Sequence, residues 1–179
     1  MKLTRLLKNV DYTFIREIDA EITDLVYDSR KADDGVAFVC LKGYTSDGHK
    51  FAESAVKKGA SALVISDDLD FTVDEDVAVV KVADTRLALA LMSAELFGNP
   101  ANELKTVAIT GTKGKTTTTA MMAEIFERAG IKTGTIGTLG IVYGGNTYKT
   151  DNTTPESYEI HRAMRDRSEE RRVGKECRL

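Results

Sequence analysis

Tryptophan is absent from this 179-residue chain, and cysteine, histidine and proline occur only twice each. Two cysteines, Cys40 and Cys177, make neither a disulfide framework nor a thiolate metal site. Cys40 lies in an apolar run and reads as a buried thiol. No Cys or Asp cluster is spaced to join His49 or His161 as metal ligands, so both read as helix-start or surface histidines without a role. No apolar run approaches the roughly 20 residues of a membrane span. Met1-Lys-Leu-Thr-Arg-Leu-Leu-Lys8 has no sustained apolar core and no small-residue cleavage site, so it is not read as a signal peptide. Positive charge is not in excess either. A net charge of −3 and a pI near 5.5 exclude a nucleic-acid binder working by bulk electrostatics. Repeats and low-complexity tracts are missing. What remains is 42% hydrophobic and 30% charged, the composition of an ordinary globular protein of one or two domains, expected in the cytoplasm.

Against that plain background one stretch stands out. Val107-Ala-Ile109 is a short apolar run that stops at Thr110-Gly-Thr-Lys-Gly-Lys-Thr-Thr117, and a helical pattern follows at once. Strand, glycine loop, Lys-Thr and helix are the parts of a phosphate-binding loop. Its backbone N–H groups converge on phosphate oxygens, and the following helix adds the positive end of its dipole. Gly111, Thr112, Lys113, Gly114, Lys115, Thr116 and Thr117 are the expected ATP-binding residues. Lys115 is the catalytic candidate, reaching the outer phosphates, and the Thr116 hydroxyl is the expected Mg²⁺ ligand. The full motif places a glycine where this chain has Ile109, so the loop is a shortened form. The run Thr116–Thr119 opens the helix with β-branched residues, which a sequence selected for helix stability alone would avoid.

The chain reads as α/β throughout. Ile22–Tyr27, Gly35–Leu41, Ala62–Ile65 and Val77–Val82 have strand character. Asp47-Gly-His49 leads into a helix with Ala52, Ala55, Val56 and Gly59 on its apolar face. Asp84 is an N-cap for a helix whose face reads as Leu87, Ala90, Leu91 and Ala94, stopped by Gly98-Asn-Pro100. A first domain over residues 1–98 is thus expected, followed at Asn99–Leu104 by a second over 99–166. There the spacing predicts a helix with Met122, Ile125, Phe126 and Ala129 inward and Gly130 closing it. Thr133–Gly140 is predicted as the next strand of a parallel sheet and Tyr143–Tyr148 as a hairpin. Thr154-Pro155 opens a last helix. Residues 167–179 lose all apolar periodicity and match the in-frame translation of a sequencing-library adapter, so they are expected to be non-native.

In their order, several stretches resemble the Mur ligases. Asp28-Ser-Arg30, Phe38, Gly43, Asp47-Gly-His49, Phe51 and Gly59-Ala60 match the family's first domain. Thr110–Thr118, Gly134-Thr-Ile-Gly-Thr138 and Asn152-Thr-Thr-Pro155 match its central domain. The resemblance is greatest to the branch that adds the third amino acid to the peptidoglycan precursor. It implies a small α/β domain binding the UDP end of the substrate, then the start of a mostly parallel, P-loop ATP-binding domain. It implies that Tyr27 and Ser29 contact the uridine end, and that Asn152, Thr153 and Thr154 hold the muramyl peptide. ATP and Mg²⁺ are the implied cofactors. UDP-MurNAc-dipeptide and an amino acid (diaminopimelate or L-lysine) are the implied substrates of a monomer.

Two departures accompany the match. Lys113 stands where the family more often has Asn. The modified lysine, the further Mg²⁺ ligands and the amino-acid-selecting third domain of similar proteins have no counterpart in this chain, which is therefore expected to be inactive alone. The alternatives are the D-Ala-D-Ala-adding ligase, a folylpolyglutamate synthase, a small P-loop kinase or a non-catalytic nucleotide-binding module. A GTPase switch would want Asp-x-x-Gly and Asn-Lys-x-Asp downstream, and neither occurs.

Overall fold

The computed structural model describes residues 1–43, 46–149 and 155–176, with side chains through residue 168. It divides into two compact units, Met1–Leu96 and Phe97–Leu179. No helix of the described residues is long and apolar enough to cross a membrane.

The first unit is built on a five-stranded sheet of β1 (Tyr12–Arg16), β2 (Leu25–Val26), β3 (Ala37–Val39), β4 (Ala62–Ile65) and β5 (Ala78–Val82), in the order β1-β5-β4-β3-β2. Strands β2 to β5 run parallel, and β1 closes one edge antiparallel to β5. The parallel strands are buried on both faces, so they read as continuous apolar runs rather than alternating ones. One face, with Phe38, Cys40, Leu63, Ile65 and Val79, packs with Ala52 and Ala55 of α2 (Ala52–Val56). Burial pushes the Cys40 thiol up to about 12, as expected for an inert core cysteine.

Helices α1 (Leu3–Leu6) and α3 (Thr85–Leu96) pack on each other, and α3 contacts β2. The Asp84 carboxylate accepts from the backbone N–H of Arg86 and Leu87 at 2.8 and 3.1 Å, confirming it as the cap of α3. The buried face of α3 differs from the one expected. Leu87 is 57% exposed, and the inward set is Thr85, Ala88, Leu89 and Met92. Alanine and leucine occupy most of the helix circumference, so both stripes satisfy a helical period. Packing against the neighbours selects between them.

In the second unit, Pro100–Glu103 forms a short 3-10 turn, followed by α4 (Lys115–Arg128), β6 (Thr135–Gly137), β7 (Gly140–Tyr143), β8 (Asn146–Tyr148) and α5 (Ser157–Glu176). The hairpin of β7 and β8 forms as expected, through Gly144-Gly145. Strand β6 differs from expectation: it pairs antiparallel to β7 rather than joining a parallel sheet. The connection Thr138-Leu139 is too short for a crossover, and so short a turn can join only antiparallel neighbours. Val107–Ile109 is not a strand among the described residues. Val107 is 64% exposed, and a strand needs a ladder partner. Helix α5 continues through the segment expected to be non-native. Arg167 and Ser168 are buried, and the Ser168 hydroxyl donates to Glu103, which also pairs with Arg165 at 3.3 Å. Thr154, its expected N-cap, lies outside the described residues, as does Cys177.

Candidate functional site

Gly111 to Gly114 form an exposed bend that turns directly into α4. Gly114 is the N-cap, held at φ 80°, ψ −7°, in the left-handed region that L side chains avoid. A Cβ there would meet nothing within 4 Å. The glycine is therefore required by backbone conformation and not by crowding. Because Gly114 has no side chain, nothing caps the helix. The N–H groups of Lys115, Thr116 and Thr117 have no acceptor one turn earlier, and they face outward with the helix dipole behind them.

Lys115, in the first turn, folds back so that its ammonium donates to the Gly111 carbonyl at 2.5 Å. That contact places the cation over the mouth of the bend. The Thr116 hydroxyl lies 3.2 Å from the hydroxyl of Thr138 in the β6–β7 turn. Thr119 settles its hydroxyl on the Lys115 carbonyl at 2.9 Å, which lets a β-branched residue sit in the helix with its polar atom satisfied. Thr112, Lys113 and Thr117 are exposed around the same bend. Helix N–H groups and a lysine fit a polyphosphate, and two hydroxyl oxygens side by side suit a hard cation that keeps most of its own water. Thr138 is a member of this cluster that sequence reasoning did not single out. It closes the motif Gly134–Thr138, but nothing in the spacing says that it meets Thr116.

In the first unit, Tyr27 and Ser29 follow the carboxyl end of β2, the edge of a parallel sheet at which ligands commonly bind. Asp28 caps the 3-10 turn Ser29–Lys31 by accepting from the Arg30 N–H at 3.0 Å. The Arg30 guanidinium also grips it in a fork, with its shortest contact at 2.7 Å. That hydrogen bonding holds the Asp28 carboxyl down at about 2, well below its ordinary 3.8. Lys58 donates to the Ser29 carbonyl at 2.8 Å and anchors the turn from behind. The Asp-Ser-Arg segment is thus a preformed turn with the Ser29 side chain half-buried. The remaining expected substrate residues, Asn152, Thr153 and Thr154, lie outside the described residues.

His49 was expected at a helix start or on the surface. It does open a short 3-10 turn, Gly48–Phe51, but it is buried, with 8% exposure. Its Nδ1 lies 2.6 Å from the Asp47 carboxylate. Its Nε2 accepts from the backbone N–H of Ser66 and Asp67 at 3.0 and 3.2 Å. Asp47, His49 and Asp67 come close enough to suggest a cation site. However, Lys42 already neutralises Asp67, and both imidazole nitrogens are committed within the protein.

Comparison with known proteins points to one family. Residues 21–96 match the Mur ligase family, catalytic domain, and residues 109–173 match the Mur ligase middle domain. The UDP-N-acetylmuramoyl-L-alanyl-D-glutamate--2,6-diaminopimelate ligase of Clostridium botulinum is 44% identical over 172 residues, which are 96% of this chain and 36% of that protein. The Bacillus licheniformis enzyme of the same name is 44% identical over 168 residues, 92% of this chain and 33% of that protein. This chain therefore spans about a third of the length of the curated relatives it matches. Among solved structures, a diaminopimelate ligase of that name superposes with a TM-score of 0.62 at 27% identity, covering 86% of this chain and 32% of that one. MurF from Acinetobacter baumannii superposes at 0.55 with 34% identity, covering 70% and 27%. Two Mur ligase models, which together match most of the chain, identify it as a member of the Mur ligase family.

Proposed function

We propose that this chain is part, about a third, of an ATP-dependent ligase that joins 2,6-diaminopimelate to UDP-N-acetylmuramoyl-L-alanyl-D-glutamate. The observation that carries this reading is 44% identity across both units to ligases named for that reaction. The first unit would hold the nucleotide end of the substrate through Tyr27 and Ser29. In the second, Gly111–Thr117 would hold ATP, with Asn152, Thr153 and Thr154 beside the muramyl peptide. The reaction would take place in the cytoplasm on a monomeric enzyme.

A carboxylate does not react with an amine at neutral pH, because its oxygen is a poor leaving group. In the proposed reaction the terminal carboxylate of the D-glutamyl residue attacks the γ-phosphorus, and ADP departs with the electrons of the broken P–O bond. The amine of the incoming amino acid then attacks the acyl carbon, phosphate leaves, and the amine gives up a proton. The work of this chain is electrostatic. The N–H groups of Lys115, Thr116 and Thr117 would receive phosphate oxygens. Lys115 would exchange its contact with the Gly111 carbonyl for the outer phosphates, where charge accumulates. Mg²⁺, held by Thr116 with Thr138 beside it, would supply the remaining charge neutralisation.

The test is phosphate release by the full-length protein given ATP, Mg²⁺, the UDP-MurNAc dipeptide and one amino acid at a time. Release dependent on both dipeptide and diaminopimelate is expected. Release that instead requires D-Ala-D-Ala and a tripeptide substrate would assign the chain to the MurF branch. Release indifferent to all acceptors would refute the ligase reading.

A further inference from the structure

Thr116 and Thr119 belong to the same β-branched run at the start of α4, but their hydroxyls are satisfied differently. Thr119 donates to the Lys115 carbonyl, one turn earlier. Thr116 has no helical carbonyl one turn earlier, because the helix begins at Lys115 behind its Gly114 cap. Its hydroxyl instead lies 3.2 Å from that of Thr138, 22 residues on, and either oxygen can donate. No Asp or Glu occurs from Leu104 to Ala123 or from Arg128 to Thr150, so neither stretch brings a carboxylate of its own to the pair.

Thr138 is held in place by the three-stranded sheet rather than by α4. It opens the two-residue turn Thr138-Leu139, which is closed by the pairing of Gly137 with Gly140. Strand β7 pairs in turn with β8, in the register Ile141↔Tyr148. Gly140 sits at φ 94°, and an added Cβ would collide with the Tyr148 carbonyl oxygen. Only glycine serves where the turn re-enters β7. The turn is thereby anchored to the sheet, while Thr116 moves with the helix. Their hydrogen bond spans the two elements.

A hydroxyl that holds a cation does so through an oxygen lone pair, and the positive charge drives its proton to the far side. That proton needs an acceptor, and the acceptor in turn orients the ligand. Thr138 Oγ1 lies within reach of it. We propose that Thr138 is a positioning residue for the cation: its hydroxyl accepts the Thr116 O–H and so keeps a Thr116 lone pair turned toward Mg²⁺ on the nucleotide. The inference rests on the proposed function for the presence of ATP and Mg²⁺ at this loop. The pairing of the hydroxyls and the anchoring of the turn rest on geometry alone. Both side chains are exposed, so removing the Thr138 hydroxyl leaves the core intact.

The experiment uses the full-length protein without dipeptide or amino acid, so that ATP binds without turnover. Calorimetry measures ATP affinity in EDTA and in excess Mg²⁺, and the ratio reports how far the cation tightens binding. Thr138→Val, which keeps the shape and loses the hydroxyl, is expected to cut that ratio about tenfold, the lower end of the cost of removing such a partner from a metal site. Its affinity in EDTA is expected to stay within about twofold of the parent, as for an exposed substitution. Thr138→Ser is expected to restore the ratio. Replacing Mg²⁺ by Cd²⁺, which prefers sulfur, separates positioning from direct ligation. Thr116→Cys is expected to gain a preference for Cd²⁺ and Thr138→Cys is not. A parental ratio in Thr138→Val would overturn the positioning role, as would a gain of Cd²⁺ preference in Thr138→Cys, and either would leave the proposed function standing. A parent that binds no ATP would overturn the proposed function and the positioning role with it.

Discussion

Replacing Gly114 by alanine isolates what the left-handed N-cap contributes to the proposed nucleotide binding. At φ 80° an L residue is disfavoured by roughly 1–2 kcal/mol relative to glycine. The new Cβ would meet nothing within 4 Å, so no steric clash adds to that cost. The energy is spent on the loop conformation that points the Lys115–Thr117 N–H groups outward. The population of that conformation, and with it the affinity for ATP, should fall by about 5- to 30-fold. Gly130, which follows the other end of α4, is the matched control. It sits at φ 74°, also with open space around it, so Gly130→Ala carries a similar backbone cost at a position remote from the loop in sequence. Calorimetric titration of ATP into the full-length parent and both variants separates the two. Gly114→Ala should weaken binding while Gly130→Ala lowers only the stability of α4. Equal ATP affinity in the parent and Gly114→Ala, or equal losses in both variants, would refute the assignment of Gly114 to the phosphate cradle.

Three further outcomes follow from the same geometry. Leu89→Ala, at a fully buried position on α3, should cost about 2–5 kcal/mol of stability, whereas Leu87→Ala on its exposed side should stay within about 0.5 kcal/mol; denaturant melts decide which stripe faces inward. Carbon-13 titration should find the Asp28 carboxyl at about 2, moving up towards 3.8 in Arg30→Gln. Because this pKa is depressed on folding, the stability it contributes is present above the unfolded value near 3.8 and disappears as pH falls through about 2. In a Cys177→Ser background, Cys40 should resist thiol reagents at pH 8 until the protein unfolds, since burial holds its thiol near 12.

Much of the first unit was legible in the sequence because its strands are short apolar runs and its turns carry explicit caps. Asp84 and Asp28 both accept the backbone N–H two residues on, a purely local arrangement that residue type announces. The backbone of the Gly111–Thr117 bend was legible for the same reason: Gly114 needs a left-handed backbone, and Lys115 opens the helix directly after it. What failed was long-range. The inward face of α3 depends on which of two apolar stripes meets the neighbouring elements, and a helical period alone cannot choose. The direction of β6 depends on the length of the Thr138-Leu139 turn, which was read as part of the strand itself. His49 was assigned to a helix start or the surface because its partners, Ser66 and Asp67, lie far along the chain. Its hydrogen bond to Asp47, two residues away, was the one local signal. Thr138 meets Thr116 across a similar gap in sequence.

Oxygen-18 transfer tests the central claim most directly. When both oxygens of the D-glutamyl carboxylate are labelled and the full-length protein turns over ATP and diaminopimelate, one labelled oxygen should appear in every phosphate released. That oxygen attacked phosphorus and left with it when the amide formed. Phosphate released without label, with both labelled oxygens retained on the substrate, would show that ATP hydrolysis is not coupled to carboxylate activation and would contradict the ligase reading.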